Sequence, residues 1–384
     1  MKKVLKFMPS IVFLIFIYGM AILFFVLPKD EYSSSEKRYL KQFPEFNSDT
    51  FFSGDFGEEF ETYLSDHTPY RTFWVGLNSY YNLALGNPLS NGIYHCDNGY
   101  LVNDPPEYDR LYTNIDVIAQ FAQKTDVPVT MLLAPSTGYI VSDVLPNKEI
   151  VYHDDERFED INKTLTDSGV TFVDIRKEFK DAYASGTQVY YKTDHHWTTH
   201  GAYLAYCELA DSLDFTALTK DNYNISAYSD FYGTAYSSSG FWMTEPDSIE
   251  VWESKNIAQD SITVEITEGS NTDSFDSMFF EERLKEDDKY PVFLDGNHSY
   301  TTITNKALKE QGNDKKLLIL KDSFAHALTP FLADHYSEIV MVDMRYYKQS
   351  ITQLMNNKDF DHVLFLYSID NLGTDTDLAW ISMN

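Results

Sequence analysis

The alternation of short apolar runs with helical patterns constrains the fold of this chain more than any other feature. The apolar runs are typical of buried strands and cover residues 128–134, 170–174, 317–320, 338–343 and 363–367. Helical periodicity covers residues 108–124, 155–167, 324–336 and 351–356. This alternation predicts an α/β fold in which helices cover both faces of a parallel sheet. Ligand sites in such folds lie at the carboxyl ends of the strands.

The amino-terminal segment has the composition of a membrane anchor. No charged residue occurs over residues 7–27, and Lys2, Lys3 and Lys6 precede this stretch. Its length suffices to cross a bilayer, and the lysines favour a cytoplasmic amino terminus. A cleaved signal peptide is the alternative, although the stretch is long and lacks a small-residue cleavage site. We therefore expect a single-pass protein of the cell membrane with its main domain extracytoplasmic.

The remaining chain divides by composition and pattern. Residues 1–27 form the predicted anchor, residues 28–50 a polar linker or arm, and residues 51–384 one domain. Within that domain, the alternation breaks over residues 222–305, which predicts an irregular insertion that can include a small hairpin sheet. The formal charge of −29 argues against nucleic-acid binding, because phosphate contacts need a basic surface.

Residues 193–198 read TDHHWT and place a carboxylate, two imidazoles and an indole side by side. Adjacent side chains of an extended segment point in opposite directions, so Asp194 and His196 are expected on one side and His195 on the other. A carboxylate that holds an imidazole in one tautomer favours His196 as a general base. His195 is then expected beside the base or facing the substrate, and Trp197 is expected to wall the site.

Ser323 follows the apolar run 317–320 and precedes a helical pattern, so it lies at a strand end. Its hydroxyl is a candidate nucleophile, and its backbone amide is a candidate donor to an oxyanion. Capping of the helix is the alternative role, since Ser is a common capping residue. Together, Ser323, His196 and Asp194 supply the parts of a nucleophilic hydrolase or acyltransferase.

Three residues after later strands are secondary candidates. Arg345 and Tyr346 follow the strand 338–343 and lie near the expected cleft. Arg345 could bind an acidic substrate group or pair with a nearby aspartate. Asn371 follows the last strand and is a possible second oxyanion donor.

A metal site is the competing interpretation of the histidine motif. His196 and His200 are four residues apart and could face one ion on a helix, with Asp194 nearby. A full ligand set cannot be named, so we expect neither a metal nor a cofactor.

The motifs resemble those of the DHHW family of bacterial extracytoplasmic proteins, which is related to the AlgJ/AlgX alginate O-acetyltransferases and has an SGNH hydrolase-like fold. The matching stretches are residues 35–40, 43–44, 66–71, 99–101, 194–197, 321–324 and 343–346. Lys321 departs from the pattern, because the SGNH serine motif usually has glycine at that position.

The resemblance implies that Ser323 takes an acetyl group and passes it to a hydroxyl of a cell-surface polysaccharide. It also implies that a membrane-bound O-acyltransferase partner delivers the acetyl group. Two alternatives stay open: an esterase that removes acetyl groups from a polysaccharide, and a non-catalytic protein that binds or assembles a wall polymer.

Overall fold

The computed structural model describes residues 2–33 and 36–383. Ser35, at the start of one matching stretch, lies outside the described residues. The chain divides into two compact units, Met1–Asn91 with Ser237–Met243 and Gly92–Tyr236 with Thr244–Asn384.

Helices and strands follow one another along both units. The α-helices are α1 (Lys2–Val26), α2 (Ser48–Ser53), α3 (Asp55–Asp66), α4 (Arg71–Ala84), α5 (Leu111–Ala122), α6 (Thr137–Ile140), α7 (Asp154–Asp167), α8 (Arg176–Ala184), α9 (Thr199–Leu209), α10 (Thr234–Ser239), α11 (Lys306–Glu310), α12 (Ala325–Leu332), α13 (Ile351–Asn357), α14 (Ile369–Thr374) and α15 (Trp380–Met383). The strands are β1 (Tyr32–Ser33), β2 (Arg38–Tyr39), β3 (Leu89–Ser90), β4 (Ile93–His95), β5 (Leu101–Asn103), β6 (Val129–Ala134), β7 (Thr171–Asp174), β8 (Tyr223–Phe231), β9 (Asp247–Ser254), β10 (Ile262–Glu268), β11 (Asn271–Phe275), β12 (Tyr300–Asn305), β13 (Lys316–Lys321), β14 (Glu338–Val342) and β15 (His362–Ser368).

The first unit contains the apolar amino-terminal helix. Within α1, the 20 residues Phe7–Val26 have a mean hydropathy of 2.5 and are long and apolar enough to cross a membrane. An anchor and a signal sequence share this character. The helix fits the predicted membrane segment in length and composition.

Two stretches that carry the family resemblance meet in this first unit. Arg38 forms a bidentate ion pair with the buried Asp66, with its two nitrogens 2.5 and 3.1 Å from the carboxylate oxygens. Glu36 accepts hydrogen bonds from both Arg38 and Arg71. Planar guanidinium groups suit such paired contacts with carboxylates. The polar arm is therefore held against the end of α3 and the start of α4.

The second unit is built on an eight-stranded sheet in the order β11-β10-β12-β14-β13-β15-β6-β7. The five strands from β14 to β7 run parallel. Alternate residues of β13 enter two separate apolar cores, with Leu317 and Ile319 in one and Leu318 and Leu320 in the other. The strand is apolar throughout because both of its faces are buried. The predicted α/β fold is confirmed.

Residues 222–305 contribute more to the sheet than the sequence indicated. β8 and β9 form a separate antiparallel pair, in keeping with the expected hairpin. However, β10, β11 and β12 extend the main sheet, and β12 pairs antiparallel with β14. The interpretation of this segment as only an irregular insertion was therefore wrong in that respect. Polar residues interrupt β10, β11 and β12, so these strands lack the continuous apolar pattern of the central strands.

Two buried carboxyl groups share a serine near the end of β6. Asp154 accepts hydrogen bonds from the Ser136 backbone amide at 2.8 Å and from its hydroxyl at 3.2 Å. The same hydroxyl lies 2.9 Å from Asp370 Oδ1, which also accepts from Tyr108 at 2.7 Å. Burial raises the pKa of Asp154 to about 7, and it also raises the pKa of Asp370. Asp154 is therefore poised to hold a proton in the folded state near neutral pH.

We predict that Asp154 makes the protein less stable as the pH rises. A carboxyl group with a folded-state pKa of about 7 binds more protons folded than unfolded, so its contribution to stability falls between its unfolded pKa and that value. The melting temperature of Asp154→Asn should therefore rise relative to the parent between about pH 5 and pH 8. The exposed Glu159→Gln on the same helix should show no such trend. A constant difference between Asp154→Asn and the parent across this range would contradict the prediction.

Candidate active site

Ser323 lies in the turn between β13 and α12, at the carboxyl edge of the parallel strands. Asp322 fixes this turn. Its Oδ1 accepts the Phe324 backbone amide at 2.9 Å, and its Oδ2 accepts the Ser368 backbone amide and the Asn371 side-chain amide, each at 2.8 Å. The serine is therefore presented by a turn that is tied to the end of β15. Asn371, predicted as an oxyanion donor, lies beside the turn and donates to Asp322.

The backbone amide of Ser323 lies in the turn that leads into α12. In the described part of the chain, no acceptor takes its amide hydrogen, and the residue is 7% exposed. The turn leads directly into α12, whose first amides and dipole favour negative charge. The Ser323 amide is therefore available to a group bound at its hydroxyl.

His196 lies in a bent loop. The start of α9 and a β-bridge within the loop hold it in place. Thr198 caps α9 by accepting the Gly201 amide at 3.1 Å, and Tyr190 pairs with Trp197 across the loop. His196 Nδ1 lies 2.5 Å from Asp194 Oδ1, and its Nε2 lies 2.7 Å from Ser323 Oγ. A neutral imidazole that donates from Nδ1 to the carboxylate accepts the serine proton at Nε2. Folding thus aligns hydroxyl, imidazole and carboxylate in one buried row.

Asp194 is held from its other side. Its Oδ2 accepts the Thr234 backbone amide at 2.8 Å and the Thr234 hydroxyl at 3.1 Å. Gly233 allows this approach, because a Cβ atom there would lie 2.1 Å from the Asp194 Cβ atom. The carboxylate therefore has a fixed orientation toward His196.

The two remaining residues of the histidine motif differ in exposure. His195 Nδ1 lies 2.6 Å from the Thr234 hydroxyl, and its side chain is 30% exposed. Its ring lies against that of His196 with centroids 3.9 Å apart, since the loop is bent and not extended as the pattern suggested. Trp197 is fully buried and donates from Nε1 to the Phe324 carbonyl at 3.1 Å. Trp197 therefore packs behind the turn, and His195 borders the site.

Sequence reasoning missed Tyr290, which belongs to the insertion. Its ring stacks on His196 with centroids 3.8 Å apart and an interplanar angle of 10°. Its hydroxyl donates to the Ser323 carbonyl at 3.2 Å, and burial raises its pKa well above the ordinary value. The tyrosine thus stays neutral and contacts both halves of the site. No periodic pattern marks it, because it lies in an irregular turn far from both motifs.

Arg345 pairs with Asp343, which was the alternative expectation for this residue. Its Nε and Nη2 lie 2.8 and 2.6 Å from the two carboxylate oxygens, and Nη2 also lies 3.3 Å from Asn297 Oδ1. Tyr346 beside it is 53% exposed. Arg345 is therefore committed to an ion pair, while Tyr346 presents its ring to solvent near the strand end.

Lys321, the departure from the SGNH pattern, is buried in the same network. Its Nζ lies 3.2 Å from Asp343 Oδ2 and donates to His326 Nε2 at 2.8 Å. Burial lowers the pKa of Lys321, although the charge of Asp343 acts in the opposite direction. Burial and the charge of Lys321 together lower the pKa of His326. Burial alone would raise the pKa of Asp343, but the Arg345 contact and the Lys321 charge hold it below its ordinary value. The buried lysine thus shares the Asp343 carboxylate with Arg345.

The geometry also tests whether the histidine motif could form a metal site. Ligand atoms of Asp194, His195 and His196 lie within 4.8 Å of one another. However, both Asp194 oxygens and both His196 ring nitrogens already have hydrogen-bond partners in the protein. His200 lies on α9 while His196 precedes it, and His200 contacts Lys220. The four-residue spacing therefore does not produce a helical ligand pair, and the donor set fits a metal poorly.

Comparison with known proteins finds one family model that matches part of the chain. Residues 104–286 match the family model of the SGNH hydrolase-like domain of acetyltransferase AlgX. The match includes Asp194 and His196 and ends before Ser323. No curated protein matches the chain.

Two solved structures share the fold. A DHHW family protein from Eubacterium siraeum has a TM-score of 0.64 at 20% identity, over 77% of this chain and 96% of that chain. PatB1 from Bacillus cereus, in its structure with a sulfonyl adduct, has a TM-score of 0.60 at 21% identity, over 74% of this chain and 95% of that chain. The resemblance noted in the sequence is therefore confirmed, and the chain has an SGNH hydrolase-like fold.

We predict that Lys321→Met destabilises the protein by about 3 kcal/mol, because it leaves His326 without its donor and removes one of two cations from buried Asp343. Urea unfolding measures the change as a lower midpoint. Lys316→Met at the solvent-facing start of the same strand is the matched control and should change stability little. Equal midpoints for Lys321→Met and the parent would show that the buried charge contributes nothing.

Proposed function

We propose that this protein is an extracytoplasmic O-acetyltransferase that acylates a cell-surface polysaccharide through Ser323, His196 and Asp194. The observation that carries the proposal is the buried row in which Nε2 of His196 lies 2.7 Å from Ser323 Oγ and Nδ1 lies 2.5 Å from Asp194. A hydroxyl in this arrangement is activated for attack on a carbonyl carbon.

In the first half-reaction, Ser323 Oγ attacks the carbonyl carbon of an acetyl ester or thioester donor. The hydroxyl proton moves to Nε2 of His196, and Asp194 stabilises the imidazolium that forms. The tetrahedral intermediate then collapses, and the bond to the leaving group breaks. His196 returns the proton to that leaving group, which leaves acetyl-Ser323 and a neutral imidazole.

The oxyanion of the intermediate needs donors that are fixed before the reaction. The Ser323 backbone amide is the first candidate, because it has no other acceptor within the described residues. The amino end of α12 adds its dipole on the same side. The side-chain amide of Asn371 donates a hydrogen bond to Asp322 in this turn, and we propose it as the second donor.

In the second half-reaction, a sugar hydroxyl attacks the acetyl carbon of acetyl-Ser323. His196 takes the proton of that hydroxyl and passes it to Ser323 Oγ as the acyl-enzyme bond breaks. The products are an acetylated sugar and the free enzyme. If water takes the place of the sugar, the same residues catalyse ester hydrolysis, so the acceptor decides between transferase and esterase.

The family match and the amino-terminal helix support the choice of a polysaccharide outside the membrane. The matched domain is that of an acetyltransferase, and α1 is long and apolar enough to hold it at a membrane. We propose that the acetyl group is delivered by a membrane-bound O-acyltransferase partner.

Replacing the serine tests the nucleophile. We expect Ser323→Ala to lower acetyl transfer by roughly three to six orders of magnitude, because the covalent route is lost. A sulfonyl fluoride should label the parent on Ser323 and leave Ser323→Ala unlabelled, with mass spectrometry as the readout. His196→Ala should prevent labelling, whereas His200→Ala should be labelled like the parent. Labelling of Ser323→Ala at the parent rate would exclude this mechanism.

Replacing each of two buried aspartates distinguishes a catalytic effect from a structural one. Asp194→Asn should lower kcat by about three to four orders of magnitude, because an amide no longer favours the required imidazole tautomer. Asp247 holds the same loop through the Thr193 amide and hydroxyl, each at 2.7 Å, without touching His196. Asp247→Asn should therefore lower the melting temperature with a much smaller loss of kcat. Equal losses of kcat in the two variants would assign Asp194 a structural role only.

A further inference from the structure

A cavity separate from the Ser323 site lies at the carboxyl edge of the main sheet, beyond the end of β14 and alongside α13. Its volume is about 280 Å³. It is lined among others by Ser299, Tyr300, Tyr347, Gln349, Gln353 and Asn357. None of these residues takes part in the chemistry proposed for Ser323.

The pairing of the strands determines where this pocket lies. Tyr300 opens β12 and pairs in register with Val342 at the end of β14, because these strands are antiparallel. The Asp343 amide donates to the Ser299 carbonyl at 3.2 Å, which joins the start of β12 to the loop after β14. That loop leads to α13, whose outer face supplies Gln353 and Asn357.

The chemistry of the lining is unusual for this chain. The chain has a formal charge of −29, yet no charged side chain lines the pocket. Gln349, Gln353 and Asn357 are exposed, their side-chain amides have no protein partner in the described ranges, and each offers both donors and an acceptor. Tyr300 and Tyr347 form a wall with ring centroids 5.9 Å apart and an interplanar angle of 25°. Amides and hydroxyls around an aromatic wall suit an uncharged, polyhydroxylated ligand.

The pocket and the nucleophile occupy the same edge of the sheet. β14, whose end borders the pocket, is the direct neighbour of β13, and neighbouring strands lie about 5 Å apart. Asp343 links the two regions, since its amide binds Ser299 while its carboxylate binds Lys321, two residues before Ser323. Tyr300 and Tyr347 pack with the core on one face of the sheet, whereas Tyr290 and Phe324 pack with the core on the other, so a polymer bound at both places would cross this edge.

We propose that this pocket binds an uncharged sugar unit of the polysaccharide whose hydroxyl Ser323 acetylates, at a position removed from the acylated sugar. This proposal rests on the function proposed above and adds a substrate class to it, a glycan with a neutral residue beside the acceptor. The pocket holds the chain while the acceptor hydroxyl lies at the acyl-enzyme.

The test measures glycan binding in a background that cannot react. Full-length Ser323→Ala in a polyoxyethylene detergent is titrated with cellohexaose and with N-acetylchitohexaose, and binding is followed by saturation-transfer NMR and calorimetry. Gln353→Ala with Asn357→Ala should weaken binding of the better probe by about tenfold or more, because amide contacts to the sugar are lost. Thr352→Ala with Asn356→Ala changes the adjacent positions of α13 outside the pocket and should bind like the background.

The outcomes separate the pocket from the reaction. Equal affinity of the two double variants, absence of binding by both uncharged probes, or tighter binding of a galacturonic acid hexamer would overturn the pocket proposal. Labelling of Ser323 by a sulfonyl fluoride in the parent is scored independently. Its absence would overturn the proposed reaction while leaving the glycan-binding result to stand on its own.

Discussion

The arrangement of this active site depends on the buried carboxylate of Asp322. It is 1% exposed and accepts from the Phe324 amide, from the amide and hydroxyl of Ser368, and from the Asn371 side chain. Three of these contacts are made by Oδ2 and one by Oδ1, so both oxygens are engaged. The turn that carries Ser323 is thereby fixed to the neighbouring parallel strand. Asp322 adjoins the serine in sequence but has no free oxygen for an imidazole, which leaves that role to Asp194.

Asp194 is likewise a buried carboxylate fixed by hydrogen bonds, on the opposite side of the site. One oxygen is held by the amide and hydroxyl of Thr234, and the other faces His196. The imidazole is further confined by the stacked ring of Tyr290, whose hydroxyl reaches the Ser323 carbonyl. The loop that carries His196 and the turn that carries Ser323 are more than a hundred residues apart in the sequence. Hydrogen bonds to Asp194 and Asp322, together with the packing of the Tyr290 ring, therefore hold them in alignment. Preorganisation of this kind lowers the reorganisation needed when charge develops at the serine.

The sequence was informative where local rules decide the structure. Continuous apolar runs marked β6, β13, β14 and β15, because strands buried on both faces need apolar residues at every position. The position of Ser323 at a strand end follows from the same pattern. In contrast, the roles of Tyr290 and Thr234 depend on contacts made by the insertion with distant loops. The pairing of β12 with β14 is also non-local, and nothing in the pattern of either strand specifies its partner. The bend that brings His195 against His196 likewise comes from packing and not from alternation.

Lys321 shows how the electrostatics around the serine differ from those of the chain as a whole. The chain has a net charge of −29, but behind and within the Ser323 turn two cations, Lys321 and Arg345, face two carboxylates, Asp343 and Asp322. With Lys321 protonated, these four charges balance. His326 is held neutral, since burial and the lysine lower its pKa. The amino end of α12 is therefore the feature beside this turn that favours negative charge at Ser323. A glycine at position 321 would leave Asp343 with Arg345 alone and His326 without its donor, so the lysine contributes to the charge balance and hydrogen bonding behind the turn.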